Sequence, residues 1–197
     1  MAAHRLLFFA SLAALTVGAC AKPVPYGRTD PPAYELTIWA ETDPLFDPAD
    51  VLRACQEWAV KGVVCRLVQD KQTAGVQLMV IDEGRCLGTL LGGKLLGLAL
   101  PDGRVLIDAP CFRDRWRDGY DRRMFRATLT HELGHELGIG HIPEDCDGRA
   151  AICGPAVMNP AYDRDIWFVT VVDAAAFDAR DPARSRLKPL AGQPAGR

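Results

Sequence analysis

Three histidines and a glutamate fall within the stretch His131-Glu132-Leu133-Gly134-His135-Glu136-Leu137-Gly138-Ile139-Gly140-His141. On a helix, His131 and His135 stand one turn apart on the same face. Two imidazoles so placed can reach one ion at about 2.0–2.1 Å. Glu132 projects beside them, next to an open coordination position. Gly138 can adopt positive φ at little cost, so the helix can stop there and the chain can swing His141 back as a third ligand. Three protein ligands plus a water describe a catalytic zinc site rather than a closed structural one. Zinc held this way acidifies water to a pKa of about 7 and polarises a carbonyl, and Glu132 is placed to accept the proton and return it to a leaving amine.

The spacing His-Glu-x-x-His-x-x-Gly-x-x-His resembles the metzincin signature of zinc peptidases. A second hallmark of that family, a methionine-containing turn, has its counterpart in Ala156-Val157-Met158-Asn159-Pro160-Ala161-Tyr162. Met158 followed by Pro160 and Tyr162 is most similar to the matrixin branch. Gly92-Gly93 to Pro101, then Gly103 to Asp108, resembles that branch's substrate-edge strand and the strand after it, and Asp173 with Phe177 resembles its C-terminal helix. The resemblance implies Glu132 as general base, one catalytic zinc on His131, His135 and His141, and a substrate pocket built around Met158, Pro160 and Tyr162. Leu133 or Leu137 is expected to line the same region, which favours an apolar residue just after the scissile bond. Two departures stand out. Ile142-Pro143 follows the third histidine, and the chain has only one further histidine, His4, so a second, histidine-bound zinc is excluded.

These residues need a frame to hold them. Tyr34 to Ala40 alternates as a strand does. Asp47-Pro48 can cap and open a helix that Gly62 ends, with Val51, Leu52, Cys55, Trp58 and Ala59 as its apolar stripe. Val63 to Val68 and Val76 to Ile81 read as buried strands. Leu95 to Leu100 and Arg104 to Ile107 read as strands joined by the turn Pro101-Asp102-Gly103. A second helix starts near Asp121 and runs into the histidines. Residues 139–167 carry turn chemistry, and Val171 to Ala179 is a last helix. The expected fold is α+β and metzincin-like: a twisted, mostly parallel sheet with an antiparallel edge strand, two main helices, and a small C-terminal subdomain with one helix.

The ends of the 197-residue chain read differently. Leu6 to Val17 is a short apolar run, too short for a bilayer span, and Val17-Gly18-Ala19-Cys20 resembles the lipobox of bacterial lipoproteins. That resemblance implies a signal peptide over 1–19, a lipid on Cys20 and a cell-envelope location. Residues 20–33, rich in proline, are expected to be a tether, 34–180 the catalytic domain, and 181–197 a flexible tail. Of seven cysteines, removing Cys20 leaves an even set, Cys55, Cys65, Cys86, Cys111, Cys146 and Cys153. An even set in an exported protein points to disulfides, and sequential pairing brackets the shortest connections.

A composition of 49% hydrophobic and 24% charged residues with a formal net charge of −2 gives no basic stripe, so no nucleic-acid partner is expected. Asp145 and Asp147 with Gly148 read as an acidic turn, with calcium binding the weaker alternative. Glu136 reads as a solvated or structural charge, and Asp173 as an acceptor for nearby backbone. The function expected is hydrolysis of peptide bonds in protein or peptide substrates. The alternative is an inactive envelope lipoprotein that binds zinc or peptides, against which the intact Glu132 argues.

Overall fold

A computed structural model describes residues 25–82, 96–113, 120–144, 150–160 and 166–190, with residues 120 and 121 in backbone only. The elements fall close to where local chemistry puts them. Strand β1 (Tyr34–Ala40) leads to helix α1 (Pro48–Gln56). The Asp47 carboxylate accepts from the Ala49 N–H at 2.8 Å, and Pro48 supplies a preset φ at the first helical position. A 3-10 turn, Glu57–Lys61, continues the helix until Gly62, whose φ of 72° turns the chain out. Strands β2 (Val63–Leu67) and β3 (Val76–Ile81) follow, then β4 (Gly97–Ala99) and β5 (Arg104–Asp108). Short helix α2 (Ala109–Arg113), which carries no clear periodic signal, precedes α3 (Tyr120–Glu136) and α4 (Val171–Ala179).

The sheet runs β2-β1-β3-β5-β4. All pairs along this path are parallel except β4 with β5, so the antiparallel strand lies on the edge, as expected. β2 is the opposite edge and is not buried throughout: Val63 is buried, Cys65 and Leu67 are partly buried, and Val64 and Arg66 are exposed. α1 packs on α3; α1 also reaches β2, and α3 reaches β4. Between these layers lie Leu36, Ile38, Val51, Trp58, Leu78, Ile107, Phe125, Leu129 and Leu133, none measurably exposed. On α1, Ala54 is buried in place of Leu52, which is partly exposed. No helix among the described residues is long and apolar enough to cross a membrane.

Both ends of the described chain differ from expectation. Residues 25–33 are not a free tether but a strap on the domain. Pro25 bridges Thr170, the Tyr26 N–H donates to Val169 O, and the Asp30 N–H donates to Val60 O. Lys61, 7% exposed, fixes this strap by pairing with Asp30 and Asp178, each at 2.8 Å, below the rings of Tyr26 and Phe177. A desolvated ammonium needs both carboxylates, which explains why the strap stays down. Residues 181–190 are likewise docked rather than a flexible tail. A 3-10 turn, Pro182–Arg184, is followed by strand β6 (Lys188–Pro189). β6 pairs antiparallel with Tyr34 and Glu35 of β1, the stretch of β1 that β3 leaves unpaired. Proline does not prevent this, because the pairing is short and at an edge.

Cys55 and Cys65 form the disulfide that sequential pairing predicts, joining α1 to β2 with a Cα–Cα distance of 6.2 Å. Cys111 and Cys153 are also disulfide-bonded. Cys86 and Cys146, their expected partners, lie outside the described residues, as do Tyr162, the acidic turn at Asp145, Asp147 and Gly148, Gly92-Gly93, and the leader with Cys20.

Candidate metal centre and cleft

α3 holds the first two histidines in a tightly packed frame. Met124, Phe125, Ala127, Leu129 and Leu133 are buried around it. The Trp58 indole N–H donates to Thr130 O at 3.0 Å, and the Thr130 hydroxyl donates to Ala54 O at 3.1 Å, so α1 and the 3-10 turn after it fix the helix along its axis. The helix ends at Gly138, whose φ of 89° is the left-handed turn expected there. The chain then brings His141 back, and one ligand atom from each of His131, His135 and His141 lies within 4.8 Å of the others.

The donor set fits zinc. The His131 Nδ1 lies 2.7 Å from Val157 O, and the His135 Nδ1 lies 2.8 Å from Ile139 O. Each Nδ1 therefore carries the proton that its carbonyl accepts, which leaves both Nε2 lone pairs free. These Nε2 atoms are 3.2 Å apart. Two ligands on one tetrahedral zinc at 2.0–2.1 Å would be separated by about 3.3 Å. The surroundings of all three imidazoles favour the neutral, ligating form, although His141 is itself exposed. Desolvation, reinforced by the neighbouring His135, lowers His131 to about 4, and desolvation lowers His135 and His141.

Glu132 is 6% exposed, and its carboxylate accepts the Ala99 N–H of β4 at 2.8 Å. Burial raises its pKa to about 7 against that hydrogen bond, a value suited to taking and returning a proton near neutrality. Gly97 makes the approach possible. A Cβ there would stand 2.8 Å from Glu132 Cγ and 2.9 Å from Glu132 Oε1. The sequence shows this only as a glycine within a strand.

Met158 is wholly buried and lies under the helix rather than on the wall of the cleft. Its place under the histidines follows from Gly134, where a Cβ would overlap Met158 Sδ. Leu133 and Leu137 are also wholly buried in the core and do not line the cleft. Pro160 does line it. The turn around Met158 is held from two sides. Asp173 accepts from Val157 N, Met158 N and Thr170 N at 2.8–3.1 Å, the backbone role its place in the sequence implies. Asn159, whose role the sequence does not single out, donates to Ile142 O and Gly154 O and accepts from Ala156 N. Because Ile142 follows His141, the amide of Asn159 ties the third ligand to the turn.

The cleft measures about 790 Å³. One wall is β4 and its turn, Leu96 to Pro101; the other is α3, His141, Ala156, Val157, Pro160 and Ile166. The docked C-terminal segment closes one end with Ala183 to Arg186, a contribution that residue spacing does not reveal. Arg186 donates through its backbone N–H to Glu136 O and through its guanidinium to Pro101 O, and its Nε lies 3.6 Å from Glu136 Oε2. Glu136 is thus a buried structural charge, 4% exposed, rather than a solvated one.

No family model matches the sequence. The chain is 32% identical over 128 residues to the hemorrhagic metalloproteinase-disintegrin-like kaouthiagin of Naja kaouthia, over 62% of this chain and 27% of that protein. It therefore spans about a quarter of the length of the relative it matches. The structure of myroilysin aligns over 79% of this chain and 96% of that one, with a TM-score of 0.44 and 11% identity.

Proposed function

We propose that this chain is a zinc-dependent endopeptidase of the metzincin type, similar to the matrixin branch, with residues 34–180 as its catalytic domain. The observation that carries this reading is the convergence of His131, His135 and His141 at the floor of an open cleft, with the buried carboxylate of Glu132 beside them. The similarity to a protein described as a metalloproteinase supports it. When bound, zinc supplies a Lewis acid that acidifies water and polarises a scissile carbonyl. The remaining work falls to the chain's own groups. A substrate segment lies along the outer edge of β4, where main-chain hydrogen bonds supply affinity. Glu132 accepts the proton of the attacking water and passes it to the leaving amine. The carbonyls of Val157 and Ile139 hold the His131 and His135 rings in one tautomer and orientation.

The lipobox-like Val17-Gly18-Ala19-Cys20 supports an acylated Cys20, and a lipid there would hold the domain at a bacterial envelope membrane. The test of the catalytic reading is cleavage of a diverse peptide library with and without a chelator. Glu132→Gln is expected to keep its zinc and fold while losing nearly all turnover. Turnover like the wild type in that variant would remove Glu132 as the base.

A further inference from the structure

Among the described residues, the large apolar side chains left exposed are Val64, Leu98, Trp167 and Val171. Leu98 lines the cleft, and Val64 is on the outer edge strand β2. Trp167 and Val171 have neither explanation. They are 42% and 47% exposed and lie within five residues of one another, with Phe168 against Trp167 at a ring separation of 5.5 Å. Between them in sequence is Thr170, which bridges Pro25, the first described residue of the strap. Pro25 is five residues beyond Cys20. Five residues span at most roughly 18 Å even when fully extended. A lipid on Cys20 therefore holds this surface close to the bilayer.

We propose that Trp167, Phe168 and Val171 form a second membrane contact, resting on the lipid interface beside the acylated terminus. This rests on the lipidation reading above. Tryptophan suits the site because its ring is apolar and its N–H can remain with the headgroups. A single chain terminus would leave the domain free to tumble, whereas a second contact fixes which face meets the lipid. Ile166, the residue before Trp167, lines the cleft, so the contact adjoins the cleft wall in the chain. The substrates it favours are polypeptide segments held near the bilayer surface.

The test uses the acylated protein in phosphatidylcholine vesicles, with and without lipids brominated near the headgroup. Wild-type tryptophan emission is quenched by the bromines, and Trp167→Phe removes most of the quenched component. Equal quenching in both proteins overturns the proposal. In a second arm, Trp167→Ser/Val171→Ser lowers cleavage of a vesicle-tethered peptide several-fold and leaves cleavage of the free peptide unchanged. Equal loss on both peptides, or loss on neither, overturns it. Thermal melting checks the fold of the double variant, and Trp167→Gln alone replaces it if that fold is lost. Mass spectrometry of the mature terminus reports separately on the anchor, and an unacylated Cys20 refutes the anchor and this contact with it. If no free peptide is cleaved, the peptidase reading fails, while quenching still decides the contact.

Discussion

Replacing Gly134 by Ala sets two effects of opposite sign against each other. In a helix interior, Ala is favoured over Gly by about 1 kcal/mol, so local propensity alone predicts stabilisation. Packing predicts the reverse. The new Cβ would stand 2.8 Å from Trp58 Cζ2 and 3.1 Å from Met158 Cε, with a closer overlap on Met158 Sδ. Comfortable carbon contacts are about 3.5–4.0 Å. Neither neighbour has room to retreat, because Trp58 and Met158 are both fully buried. Moving Trp58 also gives up its bond to Thr130 O. Overpacking of this kind costs about 1–3 kcal/mol, and an unmet buried donor adds roughly 1–3 kcal/mol. The expected net is destabilisation by about 1–5 kcal/mol, a fall in Tm on the order of 2–20 °C for a chain of this size.

The same displacement has a second readout. Met158 moves with Val157, whose carbonyl orients His131, and losing such an outer hydrogen bond typically weakens metal binding about 10–100-fold. Thermal melts and zinc competition against a chelator measure the two effects. In Gly134→Ala/Met158→Ala the extra methyl enters the space the thioether vacates, so the pair should be more stable than the sum of the singles by about 0.5–3 kcal/mol. A Gly134→Ala protein about 1 kcal/mol more stable than wild type, with unchanged zinc affinity, would refute the packing argument and leave propensity in control.

Other expectations follow from the same geometry. His141→Ala should lose most of its zinc by elemental analysis while α3 stays helical by circular dichroism; full zinc content would remove His141 as a ligand. Gly97→Ala should keep its zinc but lower kcat about 10²-fold, because its Cβ meets the Glu132 side chain and a displacement of about 1 Å is enough for that loss. Unchanged kcat would show that Glu132 has a second productive position. Asp173→Asn replaces an acceptor with a donor facing backbone N–H groups, so it should destabilise by roughly 1–3 kcal/mol for each N–H left unmet. A melt unchanged from wild type would mean that the turn around Met158 is held by Asn159 alone.

The sequence alone was enough for whatever depends on short-range spacing. The i, i+4 histidines, the glycine that lets the third return, the Asp47-Pro48 helix start and the Pro101-Asp102-Gly103 turn are each set by dihedral preferences over a few residues, and each recurs in the structure. The antiparallel edge strand could also be anticipated, because a tight turn leaves the next strand no other direction. What only the tertiary structure decided are the contacts between segments far apart in the chain. Gly97 against Glu132, Met158 beneath Gly134, and Arg186 between Glu136 and Pro101 leave no periodic trace, since each depends on two segments meeting. The two ends misled for a related reason. Proline, glycine and arginine describe a chain that forms no core of its own. They do not reveal that Lys61 offers a buried charge to Asp30, or that β1 leaves Tyr34 and Glu35 open to a short strand from residues 188 and 189. A segment with weak local preferences takes its conformation from the partner it docks on, and that partner is fixed only once the sheet has formed.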